Sequence, residues 1–290
     1  MNITEALRSA EARLSAAGTD TPRLDAEVLL AHATGKPRSR LCLHHNDPLD
    51  PDIAKRFESW VDKRSAGCPV AYLTGVREFW SIPIRVTSDV LIPRPETETV
   101  VEEALKAAKE MKGPLKILDL CTGSGCIAAA LASEISNAGI TLTDISEEAL
   151  AVARLNLDSA GVRTKFCAGD LFQPIDGEKL GPFDLIASNP PYVATEDMAT
   201  LPRDVRDFEP KKALAAGPGG LDFIGRILED AWRHLRSGGW LVMEVGAGQS
   251  EATVGIATGL DRYDTIRTAK DLAGIDRVVS VRVNNWSRSN

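Results

Sequence analysis

The chain has 290 residues, enough to bury the core of one α/β domain plus a small accessory domain without staples. It is 43% hydrophobic and 26% charged, holds no apolar tract of about 18 residues, and opens on no charged-then-apolar leader, so a soluble, cytoplasmic protein with no membrane association is expected. A formal net charge of −7 argues against extended binding along a nucleic-acid backbone, which needs a dense basic face.

The five cysteines, Cys42, Cys68, Cys121, Cys126 and Cys167, show no zinc-knuckle or redox spacing and read as reduced thiols. His32, His44, His45 and His234 stand apart from other ligand types, so no metal site is expected.

Along the chain, the first seventy or so residues carry apolar residues at helical spacing. Ile3, Ala6, Leu7, Ala10 and Leu14 form one face, and Leu24, Val28, Leu29 and Leu30 a second. Ile53, Phe57, Trp60 and Val61 form a third, with Gly18, Pro22, Pro37, Pro48 and Pro51 as punctuation. A small helical bundle over residues 1–75 is expected. Between 76 and 95 the text turns β-like, with Phe79, Trp80, Ile82, Ile84, Val86 and Val90 among polar residues, which predicts a hairpin linking two domains.

From 96 to 290 short apolar runs alternate with longer helical segments. The runs are LKILDL at 115–120, ITLTDI at 140–145, FDLIAS at 183–188 and WLVMEV at 240–245, with a further strand at 277–283. Helices are expected over 128–136, 147–160 and 221–235. That alternation predicts βαβ units, a mainly parallel sheet of the doubly wound Rossmann-like kind, and ligand sites at the carboxyl ends of its strands.

The run LDLCTGSGCIA at 118–128 leaves the first strand and opens a helix, where such a sheet binds an adenosine-containing cofactor. Its glycines let the backbone approach a ligand with no Cβ in the way. Asp144 ends the next strand, placed to accept hydrogen bonds from ribose hydroxyls, and Asp170 follows a third strand where an adenine amine could be read. Because Gly123, Gly125 and Ala128 also satisfy the dinucleotide fingerprint, a nicotinamide cofactor and an oxidoreductase activity fit this turn equally well.

Asn189-Pro190-Pro191-Tyr192 points more sharply. It follows FDLIAS directly and so sits at the sheet's carboxyl edge, and its two prolines fix φ and remove two backbone donors. An amide or aromatic amine nitrogen is a poor nucleophile whose delocalised lone pair must be aimed at an electrophilic methyl. Oxygen acceptors at Asn189 Oδ1 and the Pro190 carbonyl would take its two N–H groups, and Tyr192 could stack on the planar group. The stretch 193–220 lacks periodicity, as binding loops and lids do.

With these motifs the chain resembles the bacterial release factor glutamine methyltransferases. The likeness extends through LTGVREFW at 73–80, LIPRPETE at 91–98, FEP at 208–210, GPGGL at 217–221 and DLAGIDRVV at 271–279. NPPY by itself is shared with adenine amino-methyltransferases and with a sister group acting on a ribosomal-protein glutamine, so those substrates remain alternatives. The resemblance implies a class I methyltransferase domain with S-adenosylmethionine as cofactor. It implies that Cys121, Thr122, Gly123, Ser124, Gly125, Asp144, Asp170, Leu171 and Asn189 contact that cofactor. It also implies that Asn189, Pro190, Pro191 and Tyr192 hold the glutamine amide, with Asn189, Pro190 and Tyr192 as the catalytic set. Class I release factors would be the partners, docked with help from the helical domain of a monomer that binds no nucleic acid directly. Cys121 departs from the usual glycine and fits only with a negative φ or at a cost of about 1 kcal/mol.

Overall fold

The computed structural model describes residues 1–158 and 161–284, so the last two residues of the helix expected over 147–160 lie outside the described residues. Cα packing divides the chain into two compact units, one comprising residues 1–76 with 202–208 and the other 77–201 with 209–290.

The first unit is helical: α1 (Ile3–Ala16), α2 (Pro22–Thr34), α3 (Arg38–Leu43), α4 (Pro51–Ser65) and α5 (Val70–Thr74). α1 starts on a capping box in which Asn2 Oδ1 accepts from Glu5 N and Glu5 Oε2 accepts from Asn2 N, satisfying two otherwise orphaned donors. α2 opens on Pro22 and ends at the left-handed Gly35. Its buried face is Asp25, Ala26, Leu29, Leu30 and Ala33, whereas Leu24 is exposed, so the apolar stripe lies about one position round from the expected one. The displaced position is taken by Asp25, whose carboxylate receives Arg64 Nε at 2.7 Å and thereby ties α2 to α4. Leu14, Leu29, Leu30, Phe57 and Val61 are fully buried together, each contributing roughly 1.5–3 kcal/mol by leaving water.

The second unit begins with the hairpin of β1 (Val76–Phe79) and β2 (Ile82–Arg85). This hairpin is fastened to its own unit. Trp80 N and Nε1 donate to Glu98 and Glu134, and Arg85 exchanges backbone hydrogen bonds with the Asn156 amide. α6 (Glu98–Lys109), β3 (Lys116–Leu120), α7 (Cys126–Glu134), β4 (Gly139–Asp144), α8 (Glu147–Leu157) and β5 (Arg163–Ala168) follow. Then come α9 (Gln173–Gly177), β6 (Phe183–Ser188), α10 (Arg203–Phe208, which clusters with the helical unit), α11 (Asp222–His234), β7 (Leu235–Glu244), α12 (Ser250–Gly259), β8 (Tyr263–Lys270) and β9 (Asp276–Val283).

The seven strands form one sheet in the order β5-β4-β3-β6-β7-β9-β8. β5 through β7 pair parallel, and β9 and β8 add an antiparallel edge. β6 is buried along its whole length, which is why FDLIAS reads as a continuous apolar run. The expected doubly wound sheet, helical amino-terminal region and hairpin are therefore all present. From β3 the chain turns to β4 on one side and later returns with β6 on the other, so the crevice between β3 and β6 is the topological switch point.

Among the described residues no helix is long and apolar enough to cross a membrane, and no group of three or more His, Cys, Asp or Glu could hold a metal ion. Cys68, Cys121, Cys126 and Cys167 are free thiols.

Candidate active site

A cavity of about 340 Å³ opens at the carboxyl ends of β3, β4 and β6, within the size range of small-molecule sites. Its wall includes Thr122, Gly123, Ser124, Asp144, Asp170 and Asn189, so the glycine turn, the acid after β4 and the tetrad after β6 face one space. Register explains the meeting. Leu120 pairs with Ser188, and Ser188 Oγ donates to the Leu120 carbonyl at 2.8 Å, so the residues that follow each strand emerge side by side.

The turn itself is held from beneath. Thr122 N donates to the Thr143 carbonyl at 2.9 Å, and Gly123 N to Asp144 Oδ2 at 2.9 Å. Asp144 Oδ1 accepts from Ser146 N at 2.9 Å, so its carboxylate is fixed by two backbone donors and retains lone pairs for a ligand. Burial raises the Asp144 pKa against the lowering effect of those donors. Gly123 has φ +53°, and a Cβ there would stand in open space beside the cavity. Gly125, with φ +77°, does not line the cavity; its Cβ would press on Leu157 Cδ2 at 3.0 Å and Ala153 Cβ at 3.1 Å, so this glycine admits α8 rather than a ligand. Cys121 lines the cavity with φ +60°, in the left-handed region where a side chain costs about 1–2 kcal/mol, so the strained alternative holds for it.

Leu171, with φ +46°, lines the wall beside Asp170, whose carboxylate receives Arg226 Nη2 at 2.5 Å. Asp170 is thus an ion-paired residue of the cavity wall.

Within the tetrad, Asn189 and Pro191 line the cavity, and Pro190 and Tyr192 do not. Asn189 Nδ2 donates to Thr97 Oγ1 at 3.1 Å. Neither Asn189 Oδ1 nor the Pro190 carbonyl receives a hydrogen bond among the described residues, whereas the Tyr192 carbonyl is taken by Gln249 Nε2 at 2.9 Å. The Tyr192 hydroxyl donates to Glu244 Oε1 at 3.1 Å, and its ring packs against the core. Burial and the neighbouring Glu244 push the phenol well above its ordinary range, so Tyr192 is neutral.

Four polar residues at this site escape a reading of the sequence. Glu244 and Asp119 each lie within apolar strand runs, and each is fully buried. Burial pushes Glu244 up to about 7 despite hydrogen bonds from Thr97 and Tyr192. It pushes Asp119 up to about 7 as well, although Thr122 Oγ1 and Ala128 N both donate to Oδ2; its Oδ1 has no partner among the described residues. The only signal in the text was an acid where a strand should be apolar. Arg94, from LIPRPETE, lines the cavity and donates to the buried Glu209 of FEP at 2.6 Å, and Glu209 also accepts from Ile92 N.

The comparisons with known proteins agree with this architecture. Residues 5–75 match the family described as PrmC N-terminal domain, and residues 99–203 match the methyltransferase small domain. Among solved structures, the hMettl16 catalytic domain superposes with a TM-score of 0.56 at 16% identity, covering 79% of this chain and 81% of that one. A methyltransferase from Pyrococcus furiosus gives 0.50 at 19% identity over 70% and 89%. These likenesses fix the fold as that of the methyltransferases. A release factor glutamine methyltransferase of Cereibacter sphaeroides is 44% identical over 98% of this chain and 99% of its own length. That of Vibrio cholerae is 43% identical over 96% of both. The nicotinamide reading of the glycine turn finds no support among these relatives. With that identity sustained over nearly the full length, the chain belongs to the release factor glutamine methyltransferase family.

Proposed function

We propose that this chain transfers a methyl group to the side-chain amide nitrogen of the glutamine in the Gly-Gly-Gln motif of class I release factors, and so modulates translation termination. S-adenosylmethionine is the methyl donor of this family and supplies an electrophilic methyl on a sulfonium sulfur. The cavity fits it: Gly123 leaves room where a Cβ would stand, and the anchored Asp144 carboxylate has the free acceptor capacity that ribose hydroxyls need. In this reading Cys121, Thr122, Gly123, Ser124, Asp170 and Leu171 complete the cofactor wall.

The observation that carries the substrate assignment is the bare Asn189 Oδ1. Its amide nitrogen is occupied by Thr97, and its oxygen is left to a cavity-lining position with the Pro190 carbonyl next to it in the chain. Two such acceptors suit the two N–H groups of a primary amide and aim its lone pair. Tyr192, expected to stack on the planar amide, does not line the cavity and acts here as a brace on Glu244. No strong base is required, because the nitrogen's proton becomes acidic once the methyl is bound. Docking of the release factor is assigned to the helical unit, whose sequence matches a family-specific domain. We take the enzyme to work as a cytoplasmic monomer without direct nucleic-acid contact.

Transfer of labelled methyl to a purified release factor, with a Gly-Gly-Ala version as control, tests the activity. Asn189→Ala is expected to lower kcat on the order of 100-fold to 1000-fold, as removal of an aimed polar group does, while S-adenosylmethionine still binds. Turnover near that of the parent would remove Asn189 from the recognition step.

A further inference from the structure

A primary amide has two ends of nearly equal shape and opposite hydrogen-bonding sense. If Asn189 presented Nδ2 to the cavity, it would meet the substrate's N–H groups with hydrogens of its own. Something must hold the oxygen outward. β6 and β7 run parallel with Ser188 beside Met243, which brings Asn189, just past β6, alongside Glu244, the last residue of β7. Thr97, at the start of α6, stands between them, with only 2% of its surface exposed, and Glu244 has none.

The hydroxyl of Thr97 has one proton, and it is given to Glu244 Oε2 at 2.6 Å. Toward Asn189 the same oxygen then offers only lone pairs, so the atom 3.1 Å away must be a donor. When ionised, Glu244 can only accept, and its other oxygen takes the Tyr192 hydroxyl at 3.1 Å. Every link in the chain from Tyr192 to Glu244 to Thr97 to Asn189 therefore has one direction, and its last consequence is the exposed Oδ1.

We propose that Thr97 and Glu244 are positioning residues for methyl transfer: the Glu244 carboxylate, acting through the Thr97 hydroxyl, fixes which end of the Asn189 amide faces the substrate. This rests on the assignment of Asn189 to glutamine recognition. It makes a specificity device of two side chains outside the tetrad, Thr97 at the cavity wall and Glu244 behind it.

Three variants of the full-length enzyme test it, each assayed for S-adenosylmethionine affinity by calorimetry and for kcat and KM on a purified release factor. Thr97→Val keeps volume and branching and removes the hydroxyl; Thr97→Ser restores it; Glu244→Gln keeps shape and supplies a competing donor. Thr97→Val and Glu244→Gln are expected to lower kcat by about 10-fold to 100-fold, with cofactor affinity within about threefold of the parent. Thr97→Ser is expected to stay within about threefold of the parent in kcat, which a packing role for the methyl group would not predict. Parent-like kcat in Thr97→Val overturns the inference, and Thr97 tests it independently should Glu244→Gln fail to fold. Equal loss in Thr97→Ser and Thr97→Val also overturns it, as does loss of cofactor binding in step with kcat. A parent enzyme inert on release factors would instead overturn the reading beneath it, and this inference with it.

Discussion

At the scale of single residues, the informative groups are the two carboxyls that burial has pushed to about 7, Asp119 and Glu244. In the unfolded chain such groups lose their protons near 4, so between about pH 4 and 7 the native state holds protons that the unfolded state has released. Below that window both states are protonated and nothing is lost; through it stability falls as pH rises; above it the loss is constant. Ligand-free protein should therefore carry from these groups a fall in urea midpoint between pH 5 and pH 8. Asp119→Asn, which keeps an acceptor for Thr122 and Ala128 and removes the ionisation, should shrink that difference. Each pKa unit removed is worth about 1.4 kcal/mol. An unchanged pH dependence in Asp119→Asn would show that this carboxyl is not held protonated. Residue types also explain what could be read in advance. Asn189, Asp144 and Gly123 were visible because their chemistry is unusual at a strand end, whereas Glu244 and Asp119 hid inside apolar runs whose hydropathy outvoted them.

At the scale of elements, Gly125 separates two uses of glycine that the motif merges. It caps α7 in a left-handed conformation and admits Ala153 and Leu157 of α8, so it sets the distance between two helices behind the cavity. Gly125→Ala should destabilise the protein by about 1–2 kcal/mol from backbone strain alone, with further cost from the tight contacts, measured by chemical unfolding. Cofactor affinity should fall with it, because α7 carries the turn. The strands at β3, β4 and β6 were legible within a residue or two, since parallel core strands are short apolar runs, and the antiparallel β9 was legible through its own buried valines. β7 begins earlier, at Leu235, through a Gly-rich segment with irregular register. β8 escaped notice because YDTIRTAK is an edge strand with no run of buried positions, and α12 because SEATVGIATG mixes glycine and β-branched residues.

At the scale of the whole molecule, every residue that lines the cavity falls within the larger of the two compact units. A protein lacking residues 1–75 is thus expected to bind S-adenosylmethionine within about threefold of the full chain, roughly 0.6 kcal/mol, yet to lose turnover on a release factor. Calorimetry and methyl transfer on the same preparation check both halves. Loss of cofactor binding from a folded truncated protein would place part of the site in the helical unit. Full turnover without residues 1–75 would remove that unit from docking.

The order of residues by itself determined the alternation of strand and helix, the glycine turn, the acid after β4 and the proline-braced tetrad. Each is a local pattern, set by backbone freedom and side-chain type within a dozen positions. Only the tertiary structure decided that β3 and β6 lie side by side, which turns two distant motifs into one wall. It also decided that Thr97 and Glu244 stand behind Asn189. Hydrogen-bond direction depends on which partners share a buried space, and those partners come from three elements that nothing in the linear text connects.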